Sequence, residues 1–305
     1  MDSSEANRRA LAHVRGRLDG GFPPLSAPAA PITLHFHPDR LVAAGRSVAA
    51  ALRDDGVYRN QFETGISSGT LSAQRDGWER TMFGGAYHGP GVRPGERPRY
   101  GGLNVLGSAT GACPGFGSCH LRLRDSVAEH ATFLFGDSCE PRSELGLADG
   151  FAPVDGPLRE CLAATGGALS WRDYVETQVH GVVRLPEDVE ALVVDPSFAG
   201  TVTGELLAAT ADRYGFALEW HEGWVLAVSD VPAGLPTGTD GEPARWQAFM
   251  ADGRARAFAA RVAAGAGSEA VDAAALGAAA AAGWAASNDL KDLWRIVVAY
   301  GSPRE

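Results

Sequence analysis

The segment 174–180 places three polar side chains at every second position of a predicted β-strand. Because successive side chains of a strand point to opposite faces, Glu176, Gln178 and His180 share one face. The other face carries two valines and a threonine, which is typical of a strand that packs on a core. A carboxylate, an amide and an imidazole side by side predict the floor of a polar site. The alternative is a solvent-facing polar side of an antiparallel sheet, which shows the same alternation.

Two histidines lie two residues apart in a second predicted strand, 32–37. His35 and His37 share one face, and paired imidazoles can bind a metal ion. This spacing resembles the opening motif of metal-dependent hydrolases such as amidohydrolases. The candidates for further ligands, which no spacing rule selects, are His120, Asp137 and His180. The alternative is that one histidine is buried and bonded to the backbone while the other is exposed.

The segment 59–69 combines charged, amide and hydroxyl side chains with two glycines. The glycines permit positive φ or close approach of a ligand to the backbone. Ser67 and Ser68, which lie between them, could hold a phosphate or a ribose through hydroxyl and N–H groups. The alternative is a surface turn in which Arg59 pairs with Glu63 four residues later.

Several common catalytic signatures are missing from the sequence. It has no Gly-x-Ser-x-Gly elbow, no Walker A motif and no Gly-x-Gly-x-x-Gly after a predicted strand. The spacing of the four cysteines matches no zinc ribbon or finger and predicts buried free thiols. Lys291 is the only lysine among 27 basic residues. Its place in a late helical pattern disfavours imine chemistry.

Length and composition are those of a globular chain. The 305 residues are 45% hydrophobic and 21% charged, enough for one large domain or two small ones. A net charge of −10 argues against a broad surface for nucleic acid or anionic lipid. No apolar run reaches the roughly 18 residues that span a bilayer, and no signal-peptide pattern opens the sequence. We therefore expect a cytoplasmic protein with no membrane partner.

The elements that must position these residues are those of an α+β protein. We predict an N-terminal helix and Pro-rich arm over 1–31, with the helix itself over 4–19. The candidate residues then fall in an α+β core over 32–231. Within it, residues 60–118 are rich in glycine, proline and aromatics, and we expect an ordered, loop-rich region that shapes a pocket. Residues 216–228 suggest a hairpin.

The C-terminal part, 232–305, is rich in alanine and predicts helices that pack on the core. We predict helices over 246–264 and 269–286, and a last helix or strand over 290–300. The sequence does not show whether these helices cover the pocket, form a dimer or bind a partner.

Five segments together resemble an uncharacterised bacterial family with a domain of unknown function. They are His-x-His-Pro-Asp-Arg at 35–40, Tyr-Arg-Asn-Gln-Phe-Glu-Thr-Gly-Ile-Ser-x-Gly at 58–69, Arg-Pro-x-Tyr-Gly at 97–101, Phe-Gly-Asp-Ser at 135–138 and Glu-x-Gln-x-His-Gly at 176–181. The resemblance extends over about residues 30 to 200. It implies no established activity.

The order of these segments is also remotely similar to that of ADP-ribosyltransferases, and it implies their mixed, mostly antiparallel core. In that fold a first strand holds NAD, a middle segment lines the nicotinamide pocket and a late strand carries the catalytic Glu. The residues that would hold NAD here are His37, Arg40, Arg59, Ser67, Ser68 and Tyr100. On the late strand, Glu176 would stabilise the transition state, and Gln178 would orient the ribose or acceptor, beside His180. The usual motif places the catalytic Glu last, whereas here Glu176 precedes Gln178.

The resemblance implies an enzyme that uses NAD as its substrate, without a metal. It would cleave the nicotinamide–ribose bond and transfer ADP-ribose to a protein, a nucleic acid or a small molecule. Two other functions remain open at the level of sequence. One is a metal-dependent hydrolase built on His35 and His37, and the other is a non-catalytic binding module.

Overall fold

The structure is a computed structural model that describes residues 4–42, 45–66, 73–170, 173–234, 244–284 and 287–304. Two residues of the predicted NAD site, Ser67 and Ser68, lie outside these ranges.

A large, mostly antiparallel sheet organises the described residues. The strands are β1 (Ile32–Phe36), β2 (Val57–Tyr58), β3 (Arg99–Leu103), β4 (Cys119–Leu123), β5 (Ala131–Phe135), β6 (Gly146–Leu147), β7 (Val175–Val179), β8 (Val183–Arg184), β9 (Val189–Val194), β10 (Ala217–Trp220), β11 (Leu226–Ala227) and β12 (Ala270–Val271). Eight of them form one sheet in the order β10-β9-β4-β1-β3-β7-β5-β6. Only the β9–β10 pair of this sheet is parallel. The predicted α+β class with a mostly antiparallel core is confirmed.

Helices flank the sheet and follow it in the chain. They are α1 (Glu5–Leu18), α2 (Val48–Asp55), α3 (Gln61–Thr64), α4 (Ala73–Met82), α5 (Ala152–Ala164), α6 (Leu185–Asp188), α7 (Val202–Tyr214), α8 (Ala244–Met250), α9 (Arg254–Gly265), α10 (Ala273–Ala281) and α11 (Ser287–Tyr300). The start of α1 is fixed by Ser4, whose side chain accepts a hydrogen bond from the N–H of Asn7.

Three local expectations differ from the structure. The predicted helix 246–264 is divided into α8 and α9, because Asp252 and Gly253 take positive φ values of 54° and 71°. The predicted helix 269–286 begins late, since Ala270–Val271 pair with β11 as β12. The prediction of a hairpin over 216–228 is wrong, because β10 pairs with β9 and β11 pairs with β12.

One apolar core extends from the sheet into the C-terminal helices. Strand residues such as Leu192 and Val194 belong to the same buried cluster as Trp246, Leu276 and Trp294. The indole Nε1 of Trp294 also donates to the carbonyl of Pro114 at 2.8 Å. This bond fixes α11 against the turn at 114–116, close to the ends of β1 and β7.

A second, smaller apolar cluster packs α1 against the sheet. Ala6, Ala10 and Val14 of α1 are buried with Phe83 and Tyr87. This cluster covers the end of β7 at which His180 lies.

Candidate functional site

A cavity of about 190 Å³, named here the Glu176 cavity, lies between the sheet and the segments α3, α4 and α11. The loop-rich region 60–118 contributes much of its wall, as the sequence predicted. The polar side chains that line it include His37, Arg40, Arg59, Gln61, Arg75, Tyr100, Asp137, Tyr174, Glu176 and Lys291. Five of the predicted site residues therefore meet in one place: His37, Arg40, Arg59, Tyr100 and Glu176.

A second cavity of about 240 Å³, the Asp39 cavity, adjoins the first. The two have His37, Arg40, Ile66 and Lys291 in both of their walls, and we call the two adjoining cavities together the cleft. The C-terminal helices supply the far wall of the Asp39 cavity through residues of α10 and α11.

Glu176 lies buried at the floor of the first cavity, held by three donors. Its Oε1 accepts from Gln178 Nε2 at 2.8 Å, and its Oε2 accepts from the N–H of Ser138 and the hydroxyl of Tyr174, each at 3.2 Å. Burial, and next the negative charge of Asp137, raise the pKa of Glu176 to about 7. The carboxyl group can therefore gain or lose its proton near neutral pH.

The positive charge of Arg75 acts on this carboxylate and lowers its pKa, against the effect of burial. Burial acts to lower the pKa of Arg75, but the acidic groups around it, Tyr100 and Glu176 among them, raise it overall. The guanidinium lies 4.9 Å from the centre of the Tyr100 ring, and the Tyr100 hydroxyl donates to Glu79 at 3.0 Å. Tyr100 thus makes a cation–π contact with the Arg75 guanidinium.

Two residues that line the cleft, Arg75 and Gln61, have buried polar atoms, Nε and Nε2, without a hydrogen-bond partner among the described residues. The same holds for the hydroxyl of Ser138, whose N–H donates to Glu176. Buried polar groups in folded proteins are nearly always paired. Unpaired donors around one cavity therefore indicate a place for a polar ligand.

The cationic side of the cleft is formed by Arg40 and Lys291. Burial lowers the pKa of the Arg40 guanidinium, whereas the adjacent Asp39 acts in the opposite direction. Burial, and next the charges of Arg295 and Arg40, lower the pKa of Lys291 to about 7. Arg59 also reaches the cleft, but it is paired with Asp55 at 3.2 Å and Glu63 at 3.1 Å.

His37 lies directly after β1 and lines both cavities. Burial and the nearby charge of Arg40 lower its pKa to about 3, so the ring is neutral at pH 7. Its Nδ1 is 3.4 Å from Ser118 Oγ, and its ring meets Trp294 edge-on at 5.5 Å. A ligand would meet His37 as a hydrogen-bonding group without charge.

Gln178 and His180 share the face of Glu176, as predicted, but do not line the cleft. Gln178 is fully buried and is bonded to Glu176 and to the hydroxyl of Thr132. His180 is buried between Thr132 at 3.0 Å and Tyr87 at 2.5 Å. A direct contact of either residue with ribose or acceptor does not fit these positions, because neither reaches the cavity.

His35 behaves as a core histidine. Its Nδ1 lies 3.3 Å from the carbonyl of Gly117, its Nε2 accepts from the N–H of Cys113, and its ring stacks on His120 at 4.9 Å. Among the described residues, no group of three or more His, Cys, Asp or Glu side chains could hold a metal ion. The proposed set of His35, His37, His120, Asp137 and His180 is not brought together.

The segment 59–66 is organised by Asn60. Its side chain caps α3 by accepting from the N–H groups of Phe62 and Glu63, and it donates to the carbonyls of Pro94 at 2.7 Å and Arg97 at 3.0 Å. This local structure, with the Arg59–Glu63 pair, is the predicted turn.

The sequence reasoning missed three residues of the cleft. Arg75 lies in α4 within no motif, and Asp137 had been considered only as a metal ligand. Lys291 comes from the C-terminal helices, and its uniqueness among the basic residues was the one signal that could have identified it.

No helix within the described ranges has both the length and the apolar character needed to cross a membrane.

Two comparisons with known proteins relate this chain to others. Residues 31–166 and 163–300 match the family described as "Protein of unknown function (DUF3626)". The Gene 2 protein of Mycobacterium phage L5 is 26% identical over 161 residues, which cover 47% of this chain. The match covers 59% of the phage protein, so the chain spans less than two thirds of that relative.

Proposed function

We propose that this chain, which belongs to the DUF3626 family of proteins of unknown function, cleaves the nicotinamide–ribose bond of NAD and transfers ADP-ribose to an acceptor. The observation that carries the proposal is the position of Glu176, a buried carboxylate held by three donors on the floor of a cleft with a cationic side. The proposal includes an ADP-ribosyltransferase-like arrangement of the sheet and action in the cytoplasm, where NAD is available.

The positions of the charged and polar groups in the cleft support a binding mode in which the parts of NAD follow one another along it. Arg40 lies where the two cavities meet, and its positive charge favours the diphosphate in the middle of the dinucleotide, with Lys291 adding to it in its protonated form. The nicotinamide ribose would then occupy the Glu176 cavity, with the neutral His37 bonded to a hydroxyl group. One face of Tyr100 is covered by Arg75, so Tyr100 supports the cation and does not offer that face to nicotinamide.

The chemistry requires an ionised Glu176. When the bond between ribose C1′ and the nicotinamide nitrogen breaks, its electron pair leaves with nicotinamide, and positive charge develops on the ribose ring. The carboxylate of Glu176, which accepts a hydrogen bond from the ribose 2′-hydroxyl, stabilises that charge. A nucleophile of the acceptor then bonds to C1′ and releases its proton. With water as acceptor the products are ADP-ribose and nicotinamide.

The position of β7 supports the assignment of the catalytic role to Glu176, which precedes Gln178, although the ADP-ribosyltransferase motif places its catalytic Glu last. Glu176 lies at the end of the polar face that opens into the cleft, and Gln178 lies behind it. Gln178 therefore acts as a positioning residue, because its amide donates to the carboxylate of Glu176 at 2.8 Å.

The test is release of nicotinamide from NAD by the wild-type protein and by Glu176→Gln. We expect the substitution to lower the rate by about 10²–10³-fold, the usual cost of removing one electrostatic stabiliser. Asp195→Asn is the matched control, because Asp195 is also buried, with its pKa raised first by burial, but does not line the cleft. This variant should retain most of the rate.

Two further outcomes would contradict the proposal. Release that disappears with a chelator and returns with zinc or manganese would favour a metal-dependent hydrolase. Binding of NAD without turnover in wild type, equal in Glu176→Gln, would favour a non-catalytic binding module.

A further inference from the structure

Lys291 occupies an unusual place for the only lysine of a chain with 27 basic residues. It belongs to α11 and lines both the Glu176 cavity and the Asp39 cavity, at the point where they join. Its side chain is partly buried, and its Nζ lies 5.3 Å from the centre of the Phe116 ring. Lys291 therefore borders a space that can admit a small molecule.

Several groups around Lys291 carry its own charge. Arg295 lies one helical turn along α11, 5.7 Å from the same Phe116 ring, and Arg40 and Arg75 reach the cleft from other elements. Asp137 acts in the opposite direction, and Glu176 and Asp39 also line the two cavities with Lys291. Desolvation first, and then these positive charges, bring the pKa of Lys291 to about 7. A large fraction of the amine is thus unprotonated near neutral pH, as a nucleophile requires.

We propose that Lys291 captures the carbonyl group of an anionic small molecule, such as a phosphorylated aldehyde, in a reversible imine. The arginines beside it supply the site for the anionic group, since Arg40 and Arg75 line the same cavity. The helical sequence pattern around Lys291 disfavours imine chemistry, but the structure places Lys291 beside a cavity, and a desolvated amine next to other cations is a recognised environment for imine formation. The inference does not depend on cleavage of NAD.

The step balances without another reactant. The unprotonated amine of Lys291 attacks the carbonyl carbon, and the carbonyl oxygen takes up a proton to give a carbinolamine. Loss of that oxygen and two protons as water leaves a carbon–nitrogen double bond. Hydrolysis reverses both steps and returns the amine and the carbonyl compound.

The experiment uses pyridoxal 5′-phosphate, which carries an aldehyde and a phosphate. The 305-residue chain is incubated with it, the imine is reduced with borohydride, and the label is mapped by peptide mass spectrometry. Since the chain has one lysine, the α-amino group is the only other primary amine. We expect labelling at Lys291, with a rate that is half-maximal near pH 7, and no label at that position in Lys291→Arg.

Two comparisons test the anionic requirement. Pyridoxal, which lacks the phosphate, should label Lys291 at least tenfold more slowly, and so should pyridoxal 5′-phosphate with the Arg40→Met variant. Circular dichroism checks that the variants fold. The mapping of the label in the wild-type protein does not depend on the variants.

Label confined to the α-amino group would overturn the inference. Half-maximal labelling of Lys291 near pH 10, or equal rates with and without the phosphate, would overturn it as well. None of these readouts involves nicotinamide release, so this inference and the proposed NAD reaction can fail separately.

Discussion

The polar face of β7 has two ends that look alike in sequence and differ in the structure. At one end Glu176 lines the cleft, and at the other His180 packs against Tyr87 and Phe83, which are buried with α1. Gln178 is fully buried between them. Glu176, Gln178 and His180 are all buried, with exposures of 4%, 0% and 1%. Burial alone therefore does not separate a candidate reactive group from a structural one.

The two ends differ in whether their buried polar atoms have hydrogen-bond partners. At the sealed end the Thr132 hydroxyl donates to Gln178 at 2.6 Å, so the Nε2–H of His180 donates to Thr132 and its Nδ1 accepts from Tyr87. Every group in this set has a partner. At the cleft end, Arg75 and Ser138 retain unpaired buried atoms, and the carboxylate of Glu176 experiences a second negative charge.

This difference in hydrogen bonding indicates different roles for the two ends of β7. A satisfied buried network adds rigidity and stability. An arrangement with unpaired donors and crowded carboxylates costs folding free energy, and such sites concentrate where a ligand completes them. Stability should therefore depend on the His180 end, and chemistry on the Glu176 end.

The largest expected effect is on stability, in His180→Ala. This change removes two hydrogen bonds and the edge-on contact of the ring with Phe83 at 5.0 Å. We expect the free energy of unfolding to fall by about 3 kcal/mol, as for other buried aromatic deletions. Urea unfolding measures it. The rate of nicotinamide release per folded molecule should be unchanged, because His180 does not reach the cleft.

The matched control is the same substitution at His37, which lines the cleft and is only partly buried. His37→Ala should cost less stability and should raise the KM for NAD about tenfold, the equivalent of one hydrogen bond of about 1.4 kcal/mol. If His180→Ala lowers the rate while His37→Ala lowers the stability, the division of the two ends is mistaken.

The second effect is a shift in pH dependence, in Gln178→Leu. Gln178 donates to the charged form of Glu176 and so acts to lower its pKa, against the effects of burial and of Asp137. Removal of that donor should raise the pKa of Glu176 further, by about one pH unit or about 1.4 kcal/mol. Because the reaction needs the ionised carboxylate, the acid limb of the rate profile should move to higher pH, with the full rate recovered in alkaline buffer.

Thr132→Val controls for loss of a buried hydroxyl from the same network. It removes the bond to the oxygen of Gln178 but leaves the amide nitrogen facing Glu176, so its shift should be smaller. An unchanged acid limb in Gln178→Leu would show that Gln178 does not tune the carboxylate.

Alternation in sequence was enough to find two central strands of the sheet. The predicted strand 32–37 is β1 without its last residue, and the predicted strand 174–180 is β7 without its first and last residues, because each carries apolar side chains in a pattern that suits a buried strand. Strand β3 was missed, since its sequence Arg-Tyr-Gly-Gly-Leu contains two glycines, which have low strand propensity. In the sheet β3 lies between β1 and β7, and pairing with these two strands determines its position.

The cleft was harder to predict, because residues distant in sequence build it. Glu176 and His37 lie on strands with recognisable patterns. Arg75 and Lys291 come from helices whose sequences are ordinary, and tertiary packing alone brings them to the cavity. Gln178 and His180 were assigned to the site on periodicity, which cannot show that α1 covers one end of a strand and leaves the other open.

The smallest expected effect concerns the far wall of the cleft, where α10 approaches the loop after β1. A Cβ at Gly277 would lie 1.2 Å from Oδ2 of Asp39, so Gly277→Ala must push this carboxylate from its place in the Asp39 cavity. Alanine gains about 1 kcal/mol of helix propensity over glycine, which the displacement of Asp39 should offset. We expect a net change in the free energy of unfolding below about 1 kcal/mol, with weaker binding of NAD by calorimetry.

Gly16→Ala provides the control, because Gly16 lies in α1 and its added Cβ would meet no atom within 4 Å. Here the gain in propensity should appear in full, as about 0.5–1 kcal/mol of added stability without any change in binding. If Gly277→Ala gives the same gain and binds NAD as the wild type does, Asp39 adapts freely, and the contact between α10 and the loop after β1 plays no part in shaping the cleft. If Gly277→Ala instead weakens NAD binding while stability stays nearly constant, this wall resembles the Glu176 end of β7. Its side chains would then contribute to ligand binding more than to the stability of the fold.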